Sequence, residues 1–178
     1  EAAVVNGASH LVLCDTNGGS LPHEVSDIVA DVKRHVGDDA IIGIHCHDDT
    51  GCAVANSMAA VLSGARHVQG TLNGLGERTG NCNLTTVIPN LQLKLGMQCL
   101  PDGHLDRLTS VSNHIAEVLN RPLNPQAPYV GSGAFAHKAG LHVSAIKRAK
   151  DAYEHVDPAL VGNGTRFVVS EMAGKATI

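Results

Sequence analysis

His45 and His47 stand two residues apart at the end of an apolar run, Ala40 to His47. Alternate residues of a β-strand point to the same face, so both imidazoles would project together while Cys46 points away. Neutral imidazole is a standard ligand of divalent transition metals. The spacing therefore predicts a two-histidine metal clamp, and the alternative is a pair of hydrogen-bonded histidines in a pocket.

Three strand–loop–helix units are predicted to position this motif. The predicted strands are 10–14, 40–47 and 67–72, and the helices that follow them are 20–36, with Ser20 as N-cap, 53–62 and 83–95. Repeats of this kind imply parallel strands joined by right-handed crossovers. Each unit places a polar loop after the carboxyl end of its strand, where barrels and open α/β sheets hold their functional groups.

Two more loops at these strand ends have residue types suited to binding. Residues 15–19, Asp-Thr-Asn-Gly-Gly, have the composition of a turn, and the same position allows the Thr16 hydroxyl to bind a substrate carboxylate. Residues 74–80 read Gly-x-Gly-x-x-x-Gly, one residue longer than a dinucleotide fingerprint. This loop also holds Glu77 where a phosphate would approach, so a nucleotide site is disfavoured.

The composition limits the class of protein. Net charge is −4 at pH 7, which gives no electrostatic footprint for nucleic acid. There is no apolar run long enough for a transmembrane helix and no signal-peptide pattern. The five cysteines form no Cys-x-x-Cys pair. Histidine is unusually frequent, with eleven copies, which points to metal or proton chemistry. We expect a cytoplasmic α/β protein whose partners are neither nucleic acid nor membrane.

Beyond residue 100 the sequence becomes richer in helical patterns and proline. The predicted segments are an amphipathic helix over 104–120, an extended proline-rich linker over 121–128, a helix over 135–150 and a β-prone stretch over 167–170. We place a domain boundary near residue 122, dividing the chain into 1–121 and 122–178. His142 and Tyr153 lie in the second part, where each, taken by itself, is more often a surface residue than a catalyst.

Three ordered motifs resemble those of one family. They are residues 15–19, residues 45–51 (His-x-His-Asp-Asp-x-Gly) and residues 73–81 (Asn-Gly-x-Gly-Glu-Arg-x-Gly-Asn). Together they resemble the 2-isopropylmalate, homocitrate and citramalate synthases, and residues 133–142 and 153–158 are most similar to the (R)-citramalate synthase branch. The resemblance implies an α/β fold: the last three βα units of a (β/α)8 TIM barrel, followed by a mostly helical accessory subdomain.

The resemblance also implies roles for residues of the first part. His45 and His47 match two metal-binding histidines, and Asn81 matches a further ligand. Thr16 matches the position that hydrogen-bonds the carboxylate of a 2-keto acid. Glu77 matches a position near the metal, where it orients the ion or a bound water.

In the second part, His142 and Tyr153 match residues that reach into the active site, usually that of the partner subunit. His142 is the candidate base. One departure from the family pattern is Asp48, where the family often has Asn. This substitution changes the local charge but leaves the two-histidine clamp intact.

The activity implied by the resemblance is a metal-dependent Claisen condensation of acetyl-CoA with a 2-keto acid in branched-chain amino-acid biosynthesis. Pyruvate, giving citramalate, is the expected keto acid, and a 2-isopropylmalate synthase using 2-ketoisovalerate is the alternative. The implied cofactor is a divalent ion (Zn, Mn or Mg), and the full-length protein is expected to be a homodimer. A metal-dependent aldolase or lyase and a catalytically inactive assembly or regulatory module are further alternatives.

The length of the chain sets a limit on this activity. A complete TIM barrel has eight strands and about 250 residues, whereas these 178 residues hold the equivalents of three strands. The Asp ligand and the Arg-Glu pair expected on the first strand have no counterpart here. We therefore expect a fragment that is inactive alone and whose exposed sheet edge promotes self-association.

Overall fold

The computed structural model describes residues 2–137, 149 and 153–168. Its helices and strands are α1 (Ala2–Val5), β1 (His10–Asp15), α2 (Pro22–Val36), β2 (Ile41–Cys46), α3 (Ala53–Leu62), β3 (His67–Gln69), α4 (Leu84–Pro89), α5 (Leu108–Val118), β4 (Ala136–His137) and β5 (Arg166–Phe167). Short 3-10 helices lie at Leu72–Gly74, Leu105–Arg107 and Pro158–Val161, and a π-helical turn lies at Asn90–Lys94. None of the described helices has the length and apolar character needed to cross a membrane.

By packing, the chain divides into two compact units, Glu1–Val87 and Ile88–Ile178. This division falls well before the domain boundary that the sequence places near residue 122. A division by contact density does not by itself define a domain boundary. The boundary near residue 122 therefore stays a prediction.

The first unit is built on a parallel three-stranded sheet in the order β1, β2, β3. Ile42, Ile44 and Cys46 of β2 are each at most 2% exposed, and β2 packs against α3. The residues between them in sequence point to the opposite face, where Cys14 of β1 is paired with His45, and His45 with Gln69 of β3. The parallel arrangement predicted from the repeated units is confirmed.

The start of α2 differs from the prediction by one residue. Leu21, and not Ser20, is the N-cap. The backbone N–H of Leu21 donates to Glu24 Oε2 at 2.8 Å, while that of Ser20 donates to Asp15 Oδ2 at 3.2 Å. The carboxylates of Asp15 and Glu24 thus accept from the backbone N–H groups at the start of this helix. The prediction had assigned this capping role to the Ser20 hydroxyl.

In the third strand–loop–helix unit, the strand is shorter and the helix is less regular than predicted. β3 ends at Gln69 because the chain turns after it: the N–H of Thr71 donates to the carbonyl of Cys82 at 3.0 Å. The predicted helix over 83–95 is divided into α4 and the π-helical turn that follows Pro89. Proline has no N–H to donate to the preceding turn, which accounts for the change in helical hydrogen bonding at this point.

The second unit has its own hydrophobic core. The buried members of this core are Leu105, Leu108, Ala127, Tyr129, Val130, Phe135 and Val161. The Thr109 hydroxyl donates to the carbonyl of Val161 at 2.6 Å, and the Tyr129 hydroxyl donates to Asn90 Oδ1 at 2.6 Å. The amphipathic helix predicted over 104–120 is present as α5 and the 3-10 turn before it.

The helix predicted over 135–150 is wrong at its first residues. Ala136 and His137 form β4, which pairs in parallel with Arg166 and Phe167 of β5. The N–H of Arg166 donates to the carbonyl of Phe135 at 3.0 Å. A partner far along the chain thus overrides the local helical pattern. Of the remainder of that predicted helix, residues 138–148 and residue 150 lie outside the described residues.

Candidate metal centre

His45 lies in β2 and His47 directly follows the strand. Their ring centroids are 5.4 Å apart and the rings are tilted by 52°. Cys46, between them, is fully buried on the other face of the sheet. The strand geometry therefore brings the two imidazoles together, as the alternation predicts.

Asn81 is brought beside His47 by backbone pairing. The two residues form an isolated antiparallel bridge. On either side of it, the N–H of Asp48 donates to the carbonyl of Gly80 at 3.0 Å, and the N–H of Cys82 donates to the carbonyl of Cys46 at 2.9 Å. We call this pairing of residues 46–48 with residues 80–82 the ladder. It sets the separation of His47 and Asn81 through the main chain.

Two buried polar atoms in the ladder have no hydrogen-bond partner among the described residues, His47 Nδ1 and Asn81 Oδ1. Asn81 Nδ2 donates to the carbonyl of Leu75 at 3.2 Å, which leaves the amide oxygen as a free acceptor. Buried acceptors without partners cost free energy and are rare in folded proteins. Imidazole nitrogen and amide oxygen are both electron-pair donors to divalent ions, so the residues present fit a divalent cation.

In the described part of the chain, no group of three or more His, Cys, Asp or Glu residues is placed to hold a metal. The set gathered here is two imidazoles, of His45 and His47, and the carboxamide of Asn81. A carboxylate ligand, which the family resemblance implies, has no counterpart in this set.

Thr16 is exposed and directly follows Asp15, whose carbonyl accepts a hydrogen bond from the N–H of His47 at 3.2 Å. The loop that holds Thr16 is therefore tied to the end of β2. Arg78 adds a second tie, since its Nη2 donates to the carbonyl of Thr16 at 2.9 Å while its Nε donates to Asp49 Oδ1 at 2.8 Å. The hydrogen bond from Arg78 lowers the pKa of Asp49.

Sequence reasoning did not single out Arg78 as a functional residue. Its position inside the motif of residues 73–81 was the available signal. The residue also has a φ of +53°, a conformation uncommon for side chains other than glycine.

Glu77 has an exposed side chain that pairs with Arg78 Nη1 at 2.7 Å. Its role near a metal stays a prediction. Asp48, the departure from the family pattern, accepts a hydrogen bond from the N–H of Ala53 at 2.8 Å, at the start of α3. A carboxylate at this position is favourable because the amino end of a helix is electropositive.

The two remaining predicted site residues belong to the second unit. Tyr153 is 42% exposed. His142 lies outside the described residues. Their roles stay predictions.

The fold and the site together define a parallel α/β protein with imidazole and carboxamide side chains gathered at the carboxyl end of its central strand. A family model described as HMGL-like matches residues 1–115, and one described as "Homocitrate synthase post-HMGL domain-like" matches residues 129–178. The chain therefore belongs to the HMGL-like family.

Among individual relatives, an (R)-citramalate synthase of Aquifex aeolicus is 53% identical over all of the chain, and one of Streptomyces coelicolor is 57% identical over 97% of it. A 2-isopropylmalate synthase of Cronobacter sakazakii is 38% identical over all of the chain. The match covers 34%, 32% and 35% of those proteins, so the chain spans about a third of the length of its relatives.

Solved structures give the same fold. A hydroxymethylglutaryl-CoA lyase from Pseudomonas aeruginosa matches 66% of the chain and 40% of its own length, with 26% identity and a TM-score of 0.56. The N-terminal domain of a putative aldolase from Bacteroides vulgatus matches 74% of the chain and 42% of its own length, with 25% identity and a TM-score of 0.54. The expected TIM-barrel type of α/β fold is thus confirmed.

Proposed function

We propose that this chain carries part of the active site of an acyltransferase that condenses acetyl-CoA with a 2-keto acid. The observation that carries the proposal is that two paired residues beside the imidazole of His45 each hold a buried, unpartnered polar atom, His47 Nδ1 and Asn81 Oδ1. The identity to synthases over the whole chain supports the reaction class.

His45, His47 and Asn81 would hold the divalent cation, Zn, Mn or Mg. When bound, the cation supplies a Lewis acid that polarises the ketone of the keto acid. Thr16, tied to His47 through Asp15, places its hydroxyl for the carboxylate of the same molecule. Glu77, on the loop that leads into Asn81, belongs to the proposed catalytic set.

The proton chemistry is assigned to the second part of the chain. His142 is the proposed base, which takes a proton from the methyl group of acetyl-CoA. The resulting carbanion attacks the ketone carbon and forms the new carbon–carbon bond, while the π electrons of the C=O bond move to its oxygen, which then takes up a proton. Attack of water on the thioester carbonyl breaks the carbon–sulfur bond and releases coenzyme A. Tyr153 completes the set, and both residues act on the partner's site in the proposed homodimer.

Pyruvate is the proposed keto acid, which gives citramalate and places the reaction in branched-chain amino-acid biosynthesis. The support is quantitative: five (R)-citramalate synthases are 49–57% identical to the chain, against 36–38% for three 2-isopropylmalate synthases. 2-Ketoisovalerate is therefore the second candidate. The proposal includes a cytoplasmic location and the domain boundary near residue 122.

The test uses the complete natural protein. Metal content and release of coenzyme A are measured with pyruvate and with 2-ketoisovalerate, on the wild type and on His45→Ala, His47→Ala and Asn81→Ala. His35→Ala, which changes an exposed histidine of α2, is the matched control. Release with pyruvate that disappears together with the metal in the three site variants, but not in the control, supports the proposal.

Other outcomes separate the alternatives. Release with 2-ketoisovalerate alone assigns the protein to the 2-isopropylmalate branch. Bound metal without release from either keto acid leaves the metal site standing and favours a lyase or aldolase. Absence of both metal and release favours an assembly or regulatory module.

A further inference from the structure

We propose that Gln69 is a positioning residue that fixes the ring tautomer of His45, and that His67 in turn fixes the orientation of Gln69. The inference rests on the proposed metal site. It adds two residues of β3 to that site, neither of which is a metal ligand itself.

The three side chains form a continuous chain of hydrogen bonds. Nδ1 of His45 is 3.1 Å from Oε1 of Gln69, and Nε2 of Gln69 is 3.2 Å from Nε2 of His67. A carbonyl oxygen only accepts hydrogen bonds, so the proton of a neutral His45 ring stands on Nδ1. The lone pair of His45 is then on Nε2, where it is free to bind a cation.

The opposite orientation of the Gln69 amide would reverse this result. Its NH2 group would then face His45 Nδ1 and hold the ring proton on Nε2, which blocks that nitrogen as a ligand. His67 holds the first orientation when its own ring proton stands on Nδ1, because its Nε2 then accepts from the NH2 group of Gln69. In that tautomer of His67, the chain of hydrogen bonds carries a directional preference from His67 to His45.

The backbone holds these side chains in place. His45 and Gln69 are direct partners across the β2–β3 pair, and His67 is two residues before Gln69 on the same face. The His67 ring occupies the space above Gly43, where an added Cβ would lie 2.9 Å from its Cδ2. On its other side it meets the ring of His10 edge-on, with 5.7 Å between centroids.

The test measures Mn²⁺ binding to the metal-free complete protein by electron paramagnetic resonance. Gln69→Leu removes the acceptor, and we expect the affinity for Mn²⁺ to fall about 10- to 100-fold. Gln69→Glu keeps an oxygen facing His45 Nδ1, and we expect an affinity within a few-fold of the wild type. Gln98→Leu, the same change at an exposed glutamine, is the matched control, and Gln69→Met replaces Gln69→Leu if the latter does not fold.

A second readout is independent of metal. In ¹⁵N spectra of the metal-free protein, with His45→Ala used for assignment, the His45 ring should be protonated at Nδ1. Gln69→Leu should return it to the Nε2-protonated form common in water, while Gln69→Glu should not. A purely structural role of Gln69 would change the melting temperature without this exchange of tautomers.

The outcomes distinguish the two levels of the proposal. Wild-type Mn²⁺ affinity in Gln69→Leu, or a wild-type His45 ring protonated at Nε2, overturns the positioning role while leaving the metal site intact. Wild-type affinity in His45→Ala overturns the metal site and the positioning role with it.

Discussion

The guanidinium of Arg78 donates from Nη2 to the backbone carbonyl of Thr16 at 2.9 Å, which joins the loop after β3 to the loop after β1. The same guanidinium pairs with Asp49, on the loop after β2, at 2.8 Å. One side chain therefore connects the three loops that carry the proposed substrate and metal ligands. Because the Arg78–Asp49 pair is partly exposed to solvent, it adds little to the stability of the fold. The contribution of Arg78 is to hold the three loops in their arrangement.

Replacing Arg78 should affect substrate binding more than folding. In Arg78→Met we expect the KM for the keto acid to rise several-fold, because the Thr16 loop loses one of its ties while it keeps the main-chain hydrogen bond from His47 to Asp15. Surface ion pairs add little to stability, so the melting temperature should move by no more than a few degrees. Steady-state kinetics and thermal unfolding check this, with Arg34→Met, which removes an exposed pair with Asp31 on α2, as control. An unchanged KM in Arg78→Met would contradict the idea.

The Arg78–Asp49 pair should give a defined pH dependence. The hydrogen bond from Arg78 lowers the pKa of Asp49 below its ordinary value of 3.8. A lowered pKa in the folded state stabilises the protein above the ordinary pKa, and this stabilisation is lost as pH falls through the lowered value. The difference in melting temperature between wild type and Arg78→Met should therefore be constant near neutral pH and shrink below pH 3.8. A difference in melting temperature that grows on acidification would refute this stabilising role of the Asp49 carboxylate.

Gly76 provides the space for the proposed Asn81 ligand. A Cβ at Gly76 would lie 2.7 Å from Nδ2 of Asn81 and 3.1 Å from its Cγ, so Gly76→Ala must displace the carboxamide. We expect Gly76→Ala to weaken Mn²⁺ binding as much as Asn81→Ala does. Gly164→Ala is the control, because an added Cβ there meets nothing within 4 Å. Titration calorimetry decides, and undiminished Mn²⁺ affinity in Gly76→Ala would speak against Asn81 as a ligand.

Asn81→Asp should make the stability of the protein more dependent on metal. The carboxylate keeps an oxygen for the cation but cannot donate to the carbonyl of Leu75, which leaves that contact unsatisfied. The metal-free variant should therefore melt below the wild type, while added Mn²⁺ should raise its melting temperature more than that of the wild type. Melting curves at several Mn²⁺ concentrations measure this. Equal shifts in the two proteins would show that the oxygen does not face the cation.

Two buried cysteines should resist alkylation. Burial raises the pKa of Cys46 to about 12 and that of Cys82 to about 11. Since the thiolate is the reactive form, only about one thiol in a thousand or fewer is ionised at pH 8. Iodoacetamide followed by peptide mass mapping should label the exposed Cys14 in the native chain before either of them, and all three after unfolding. Early labelling of Cys46 would show that β2 is not packed as described.

Elements defined by local sequence are the ones that the sequence predicts well. β1 and α3 follow from a short apolar run and a small-residue segment between turn residues, and the shared face of His45 and His47 follows from strand alternation. The metal-ligand hypothesis likewise needed only a spacing and a strand end. These inferences use neighbours within a few residues along the chain.

Features that depend on distant partners could not be predicted in the same way. β4 forms because Phe135 and His137 meet a segment that lies far along the chain, at residues 166–168. The contacts of Gln69 with His45 and of Arg78 with Thr16 depend on side-chain positions in neighbouring strands and loops. The local sequence of a segment does not specify which distant side chain will pack or pair with it in the fold.

The ladder sets the spacing of the proposed ligands His47 and Asn81 through the main chain, whatever side chains the loop between them carries. Because main-chain hydrogen bonds hold His47 beside Asn81, we expect side-chain substitutions at the non-glycine positions of residues 72–79 to leave that spacing unchanged. We therefore expect that the proposed roles of Glu77 and Arg78 can be tested by replacing each side chain without moving the proposed ligands at the base of the loop.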